Sequence, residues 1–145
     1  MREILFRGKR LDNGEWVEGF YCKHDTVKVC FTTDDPKSKH LIIVDGFCDW
    51  GFEPPLQGIE VDTTTVGQYT GLTDKNGKRI FEGDILRIKE RGYTVDGGVV
   101  FFENGYPGGW LIKEAGKESK CSLSMRTDVE VIGNIHDKRE LLGEC

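Results

Sequence analysis

Alanine is almost missing from this chain of 145 residues: Ala115 is the sole example, set against 31 valine, isoleucine and threonine residues and 19 glycines. Alanine is the best helix former and β-branched side chains are stiff, so the composition excludes a mainly helical domain and favours strands. Long apolar runs are missing too. The longest, Leu41 to Val44 and Val99 to Phe102, have four residues, where a membrane-spanning helix needs about 20. The opening Met1-Arg2-Glu3-Ile4-Leu5-Phe6-Arg7 has an acid at position 3 and no extended apolar core, so no secretory signal is expected. Paired-ligand spacings are also absent, since neither Cys-x-x-Cys nor His-x-x-x-His occurs. The five cysteines, Cys22, Cys30, Cys48, Cys121 and Cys145, are odd in number and irregularly spaced. Reduced thiols in a cytoplasm are the expected state.

Charge, by contrast, is plentiful. Twenty basic and 25 acidic side chains give a net charge of −5, with 37% apolar and 10% aromatic residues. Such a chain reads as one soluble globular domain or two very small ones, too aromatic to be disordered. Residues 1–67 carry 8 basic and 12 acidic groups, residues 68–127 carry 10 and 8, and residues 128–145 carry 2 and 5. Only the middle block has any cationic bias.

Turn chemistry gives the clearest structural signal. Three of the four asparagines precede glycine, at Asn13-Gly14, Asn76-Gly77 and Asn104-Gly105, and Asp45-Gly46 and Asp96-Gly97 are similar. These pairs tolerate the positive φ that tight hairpin turns require, so many short strands are expected. The first hairpin pairs Glu3 to Arg10 with Glu15 to Tyr21. Val27 to Phe31 alternates like a half-buried strand, Asp34 to Lys39 reads as an exposed loop, and Leu41 to Val44 resumes a strand. Asp45 to Gly58 mixes glycine and proline with Phe47, Trp50, Phe52 and Leu56, an irregular loop laid over a core.

A boundary falls near Gly67, giving a β-rich region over residues 1–66 with that aromatic loop, and a small barrel over 67–145. In the second part, Leu86 and Ile88 share one face of a strand, Arg87 and Lys89 the other, with Ile85 at the strand entry. Gly98 to Phe102 reads as a strand buried on both faces, and Trp110 to Ile112 and Val129 to Ile135 add two more. With Ile80 to Asp84 ahead of them, five short strands with tight turns predict a small, partly open barrel. Asp137 to Leu142 predicts one or two helical turns.

The motifs themselves resemble a known family. Met1 to Gly8, the stretch Gly67-Gln68-Tyr69-Thr70-Gly71-Leu72-Thr73-Asp74-Lys75-Asn76-Gly77-Lys78, then Ile80-Phe81-Glu82-Gly83-Asp84-Ile85-Leu86, and Val131 to His136 are similar to the YopX family of bacteriophage and prophage proteins. The resemblance implies a mainly β fold whose C-terminal part is an SH3-like roll or barrel with at most short helices, expressed in a bacterial cytoplasm. It implies no catalytic residue. Lys23 to Ile59 departs from the family pattern.

Chemical constellations are sparse. Cys22, His24, Cys30, His40 and Cys48 are zinc-compatible types at spacings that match no paired-ligand signature. No metal or cofactor is therefore expected. Glu82 and Asp84 flank Gly83 and in an extended segment would point the same way, but a turn-capping role is the better expectation. No Gly-x-Ser-x-Gly elbow and no glycine-rich phosphate loop occurs, so no enzyme is expected. Arg87, Lys89, Tyr93 and Trp110 compose a candidate nucleic-acid surface, disfavoured by a pI near 5.3. Trp50 and Phe52 compose a candidate protein-contact surface if they project rather than cover the core. The expectation is a non-enzymatic cytoplasmic protein that contacts a protein partner or a second copy of itself, with a nucleic-acid-binding barrel accessory to phage replication or transcription as the alternative.

Overall fold

The computed structural model describes residues 1–25, 37–46, 51, 55–105 and 108–142. Eleven strands and three single 3-10 turns make up their regular structure, without an α-helix among the described residues. The chain is mainly β, and its ladders are antiparallel, as the composition and turn spacing lead one to expect. No helix among the described residues is long and apolar enough to cross a membrane. Contacts divide the chain into two units, Ile4–Gln68 and a second formed by Met1–Glu3 with Tyr69–Cys145.

In the first unit, β1 (Phe6–Lys9) and β2 (Trp16–Asp25) form the expected hairpin. Gly14 turns the chain with φ +72°, its amide donating to the Arg10 carbonyl at 3.0 Å. The Glu15 amide donates to Asn13 Oδ1 at 2.9 Å. This left-handed corner is what the Asn-Gly pair supplies. Strands β3 (Ser38–Asp45) and β4 (Leu56–Glu60) extend the ladder in the order β4-β3-β2-β1, and β1 pairs on its far side with Gly67 and Gln68. Gly19 is demanded by close approach, because a Cβ there would stand 2.2 Å from the Ile43 carbonyl oxygen. Among the described residues of this unit, Ile42 and Val61 are the buried apolar side chains.

Two expectations are corrected here. Asp45-Gly46 is not a turn, since Gly46 N donates to the Pro55 carbonyl at 2.6 Å and prolongs the β3–β4 ladder. Leu56 to Gly58 belong to a strand rather than to a loop over the core, and Leu56 is exposed. The strand expected at Val27 to Phe31 lies outside the described residues, as does the first half of the loop expected at Asp34 to Lys39, whose Ser38 and Lys39 open β3.

In the second unit, Tyr69 to Thr73 of β5 (Gly67–Thr73) pair with β6 (Arg79–Phe81). Between them the Asp74 amide donates to the Lys78 carbonyl at 2.8 Å, with Gly77 at φ +80°. Strands β7 (Asp84–Glu90), β8 (Tyr93–Glu103), β9 (Gly109–Glu114), β10 (Lys120–Ser122) and β11 (Val129–Asn134) build a sheet of order β10-β9-β8-β7-β11. One face carries the core: Leu86, Ile88, Val100, Ile112 and Val129, with Ile80 and Leu123 packed in and Trp110, Cys121 and Val131 around them. Among the described residues this sheet does not close into a barrel. Strands β10 and β11 are the two ends of the sheet, and β10 offers only Lys120–Ser122 for pairing.

Asp96-Gly97, expected as a turn, is a bulge inside β8. Gly97 adopts φ +98° and the register slips between Leu86 and Arg87. The chain reverses instead at Arg91-Gly92, both at positive φ (45° and 88°), right after the terminal pair Glu90↔Tyr93. Gly98 to Phe102 is not buried on both faces, since Val99 and Phe101 are half-buried and Phe102 is 47% exposed. Ile85, on the Arg87 side of β7, is nevertheless fully buried. The chain end lies over that side, where Ile135, Arg139 and Leu142 line a cavity of about 480 Å³ with Val99 and Phe101. The helical turn expected near the end is a single 3-10 turn, Arg139–Leu142.

Candidate functional site

Strand alternation sorts the side chains of the first unit onto two faces. The registers Lys9↔Trp16, Arg7↔Glu18, Phe20↔Ile43, Cys22↔Leu41, Ile43↔Gly58 and Asp45↔Leu56 put Trp16, Phe20, Leu41, Ile43 and Leu56 on the same one. Phe20 is 65% and Leu56 74% exposed. Leu41 and Ile43 are half-buried, and their Cδ1 atoms approach the side-chain-free Gly58, 3.3 and 3.5 Å from where a Cβ would stand. Arg7 Cζ lies 4.7 Å and Lys9 Nζ 5.5 Å from the Trp16 ring centroid, so two cations sit at the aromatic face beside this patch.

The opposite face holds a polar aromatic cluster. Tyr21 Oη and His40 Nδ1 share a hydrogen bond of 2.5 Å, and the Phe6 ring lies 5.6 Å from Tyr21. Because Lys23 pairs with His40 and Cys22 with Leu41, Cys22 and His40 are directed to opposite sides of the sheet. Cys30 and Cys48 lie outside the described residues. No three His, Cys, Asp or Glu groups are gathered as metal ligands among the described residues.

Arg87 donates through Nε and Nη2 to Asp96 at 2.7 and 3.0 Å across the β7–β8 ladder. That charged hydrogen bond holds the Asp96 carboxyl below its ordinary value. Lys89 is exposed and shares the Arg87 side of the strand. Tyr93 is exposed at the start of β8, its hydroxyl donating to Glu90 Oε2 at 3.2 Å. Trp110 belongs to the other side of that sheet, packed on the core with its ring 5.0 Å from Phe102, edge-on. Its Nε1 is buried and has no hydrogen-bond partner among the described residues. The sheet thus brings Arg87 and Lys89 together and sets Trp110 apart from both. Trp50 and Phe52 lie outside the described residues.

The Glu82–Asp84 segment is a turn rather than an extended pair, with Gly83 at φ +81°. Asp84 is buried and accepts the Phe81 amide at 2.9 Å, which is the capping geometry.

Sequence reasoning missed Phe20. Its only signal was parity: Phe20 alternates with Trp16, Glu18 and Cys22, while Val17, Gly19 and Tyr21 form the other set. With both sets partly apolar, neither declares itself the core face.

An antiparallel two-sheet β protein displaying an apolar patch on one sheet face is the class these features define. The chain belongs to the YopX family, whose model, described as YopX protein, matches residues 5–143. The resemblance carried by Gly67 to Lys78 and its companion motifs is thereby borne out. No curated protein matches the chain.

Proposed function

We propose that the chain is a phage- or prophage-encoded protein-binding module without catalytic activity, working in the cytoplasm of a bacterial host, its C-terminal part an SH3-like roll. The observation that carries the binding reading is the patch of Phe20, Leu41, Ile43 and Leu56 on one face of the first sheet, with Phe20 and Leu56 mostly exposed. Large apolar side chains gathered at a surface mark contact with another protein. The cations of the middle block favour this reading over a nucleic-acid surface. Arg87 is paired with Asp96, Lys120 with Glu103, Lys117 with Glu114 and Arg126 with Glu90, so much of the local positive charge is already answered by carboxylates.

Affinity capture of the tagged full chain from phage-infected cells, with and without nuclease, tests the proposal. Wild type is expected to retain a protein partner after nuclease, and Phe20→Asp to lose it while keeping its thermal melt. Capture that vanishes on nuclease treatment, or that ignores Phe20→Asp, would overturn it.

A further inference from the structure

Strand β4 is an outer strand: among the described residues it pairs on one side only, with β3. The phase of that ladder decides which of its backbone groups face outward. Gly46 N donates to the Pro55 carbonyl at 2.6 Å and Val61 N to the His40 carbonyl at 2.9 Å. Hydrogen-bonded pairs recur at every second residue of an antiparallel ladder. Pro55, Gln57, Ile59 and Val61 therefore address β3, while Leu56, Gly58 and Glu60 turn their backbone groups away from it. The Glu60 carbonyl is occupied, accepting the Leu11 amide at 3.1 Å. There the corner of Arg10 and Asp12, locked by hydrogen bonds of 2.9 and 2.6 Å, caps one end of the edge. Between corner and strand runs a groove of about 360 Å³ lined by Leu11, Gln57, Gly58 and Glu60.

We infer that this edge pairs antiparallel with the same edge of a second copy, about a two-fold axis at Gln57. Two features select that occupant over an unrelated extended segment. The outward groups are reciprocal: Leu56 opposes Gly58 of the other copy and Gly58 opposes its Leu56, both as hydrogen-bonded pairs, and the register stops short of the occupied Glu60 carbonyl. A pair centred on Gly58 would instead set Leu56 against Glu60 and meet the Leu11 corner. The side chains agree with the same register. The 74% exposed Leu56 passes over a glycine and reaches the Leu41 and Ile43 Cδ1 atoms that flank it. Soluble proteins commonly guard such an edge with lysine or an inward charge, and the strand Leu56-Gln57-Gly58-Ile59-Glu60 carries neither at its centre.

This deepens the protein-contact reading and rests on it. A pairing of one short strand belongs to the weak, concentration-dependent class of interfaces. Sedimentation of the full chain from low to high micromolar concentration is expected to show rising mass for wild type. Leu56→Lys should weaken association at least about tenfold with an unchanged circular-dichroism melt. In the proposed register Gln57 faces itself at a non-hydrogen-bonded position, where Cα atoms are about 4.5 Å apart and a disulfide can form. Gln57→Cys should therefore oxidise to a symmetric cross-link, read by mass spectrometry of the joined peptide, and the added Leu56→Lys should suppress it. Monomer at every concentration with no such cross-link, or association indifferent to Leu56→Lys, would overturn the inference. If that happens while Phe20→Asp still abolishes partner capture, the protein-contact reading stands without it.

Discussion

Asp74 is a buried carboxylate that holds three backbone amides, Asn76 and Lys78 on Oδ1 at 2.8 and 2.9 Å and Val131 on Oδ2 at 3.0 Å. Burial pushes its titration up, and the amides of Val131, Lys78 and Asn76 more than offset this, so the group sits below its ordinary value. A carboxyl lowered in the folded state stabilises fully above the unfolded value near ~3.9 and loses that contribution as pH falls through the lower folded one. Asp74→Asn is expected to cost about 2–3 kcal/mol at neutral pH, because its amide group faces an N–H donor. In urea melts this gap should narrow below about pH 4; an unchanging gap would assign the loss to packing instead. The thiols differ for a related reason. Cys22 is exposed, whereas Cys121 is half-buried beside the core, where desolvation raises its titration. Iodoacetamide followed by peptide mapping should label Cys22 roughly tenfold faster than Cys121.

At the scale of elements, the decisive quantity is the sign of φ. Asn13-Gly14 and Asn76-Gly77 are legible in the sequence because both residue types accept the left-handed region. Arg91-Gly92 escaped notice because arginine seldom enters it, yet Arg91 has φ 45°. Placing a β-branch-free long side chain there costs about 1 kcal/mol, so Arg91→Asn is expected to stabilise by about 0.5–1 kcal/mol in equilibrium unfolding. An unchanged or lower midpoint would show that Arg91 is held by something other than the turn. Asp96-Gly97 carries the same conformational signal as the hairpin pairs and delivers a bulge. A dipeptide reports that φ must be positive, and the neighbouring ladder decides whether the strand then reverses or merely slips.

At the scale of the whole molecule, the buried apolar side chains among the described residues are unevenly shared between the two units. Among the described residues the first unit buries Ile42 and Val61, while the second buries Ile80, Phe81, Ile85, Leu86, Ile88, Val100, Leu111, Ile112, Leu123 and Val129 along with Tyr69. Local opening is easiest where buried contacts are few. Native-state hydrogen exchange is expected to leave the amides of β7, β8 and β9 longest protected and those of β2 and β3 earlier released. The reverse order would mean that the described side chains do not carry the stability of the first unit.

The chain's own residues were enough to specify a mainly β molecule, its first hairpin, the C-terminal strands β7, β8, β9 and β11, though not the short β10, and its family. These follow from local chemistry: the scarcity of alanine, the branched side chains, the Asn-Gly corners and motifs continuous in sequence. Tertiary structure alone decided which face of a strand is covered, that Ile85 is buried on the side of Arg87 while Phe20 and Leu56 are left outside, that Arg87 is tied to Asp96, and that β4 is the outer strand of its sheet among the described residues. Periodicity says that two faces differ, and only the elements arriving from distant sequence determine which of them meets water.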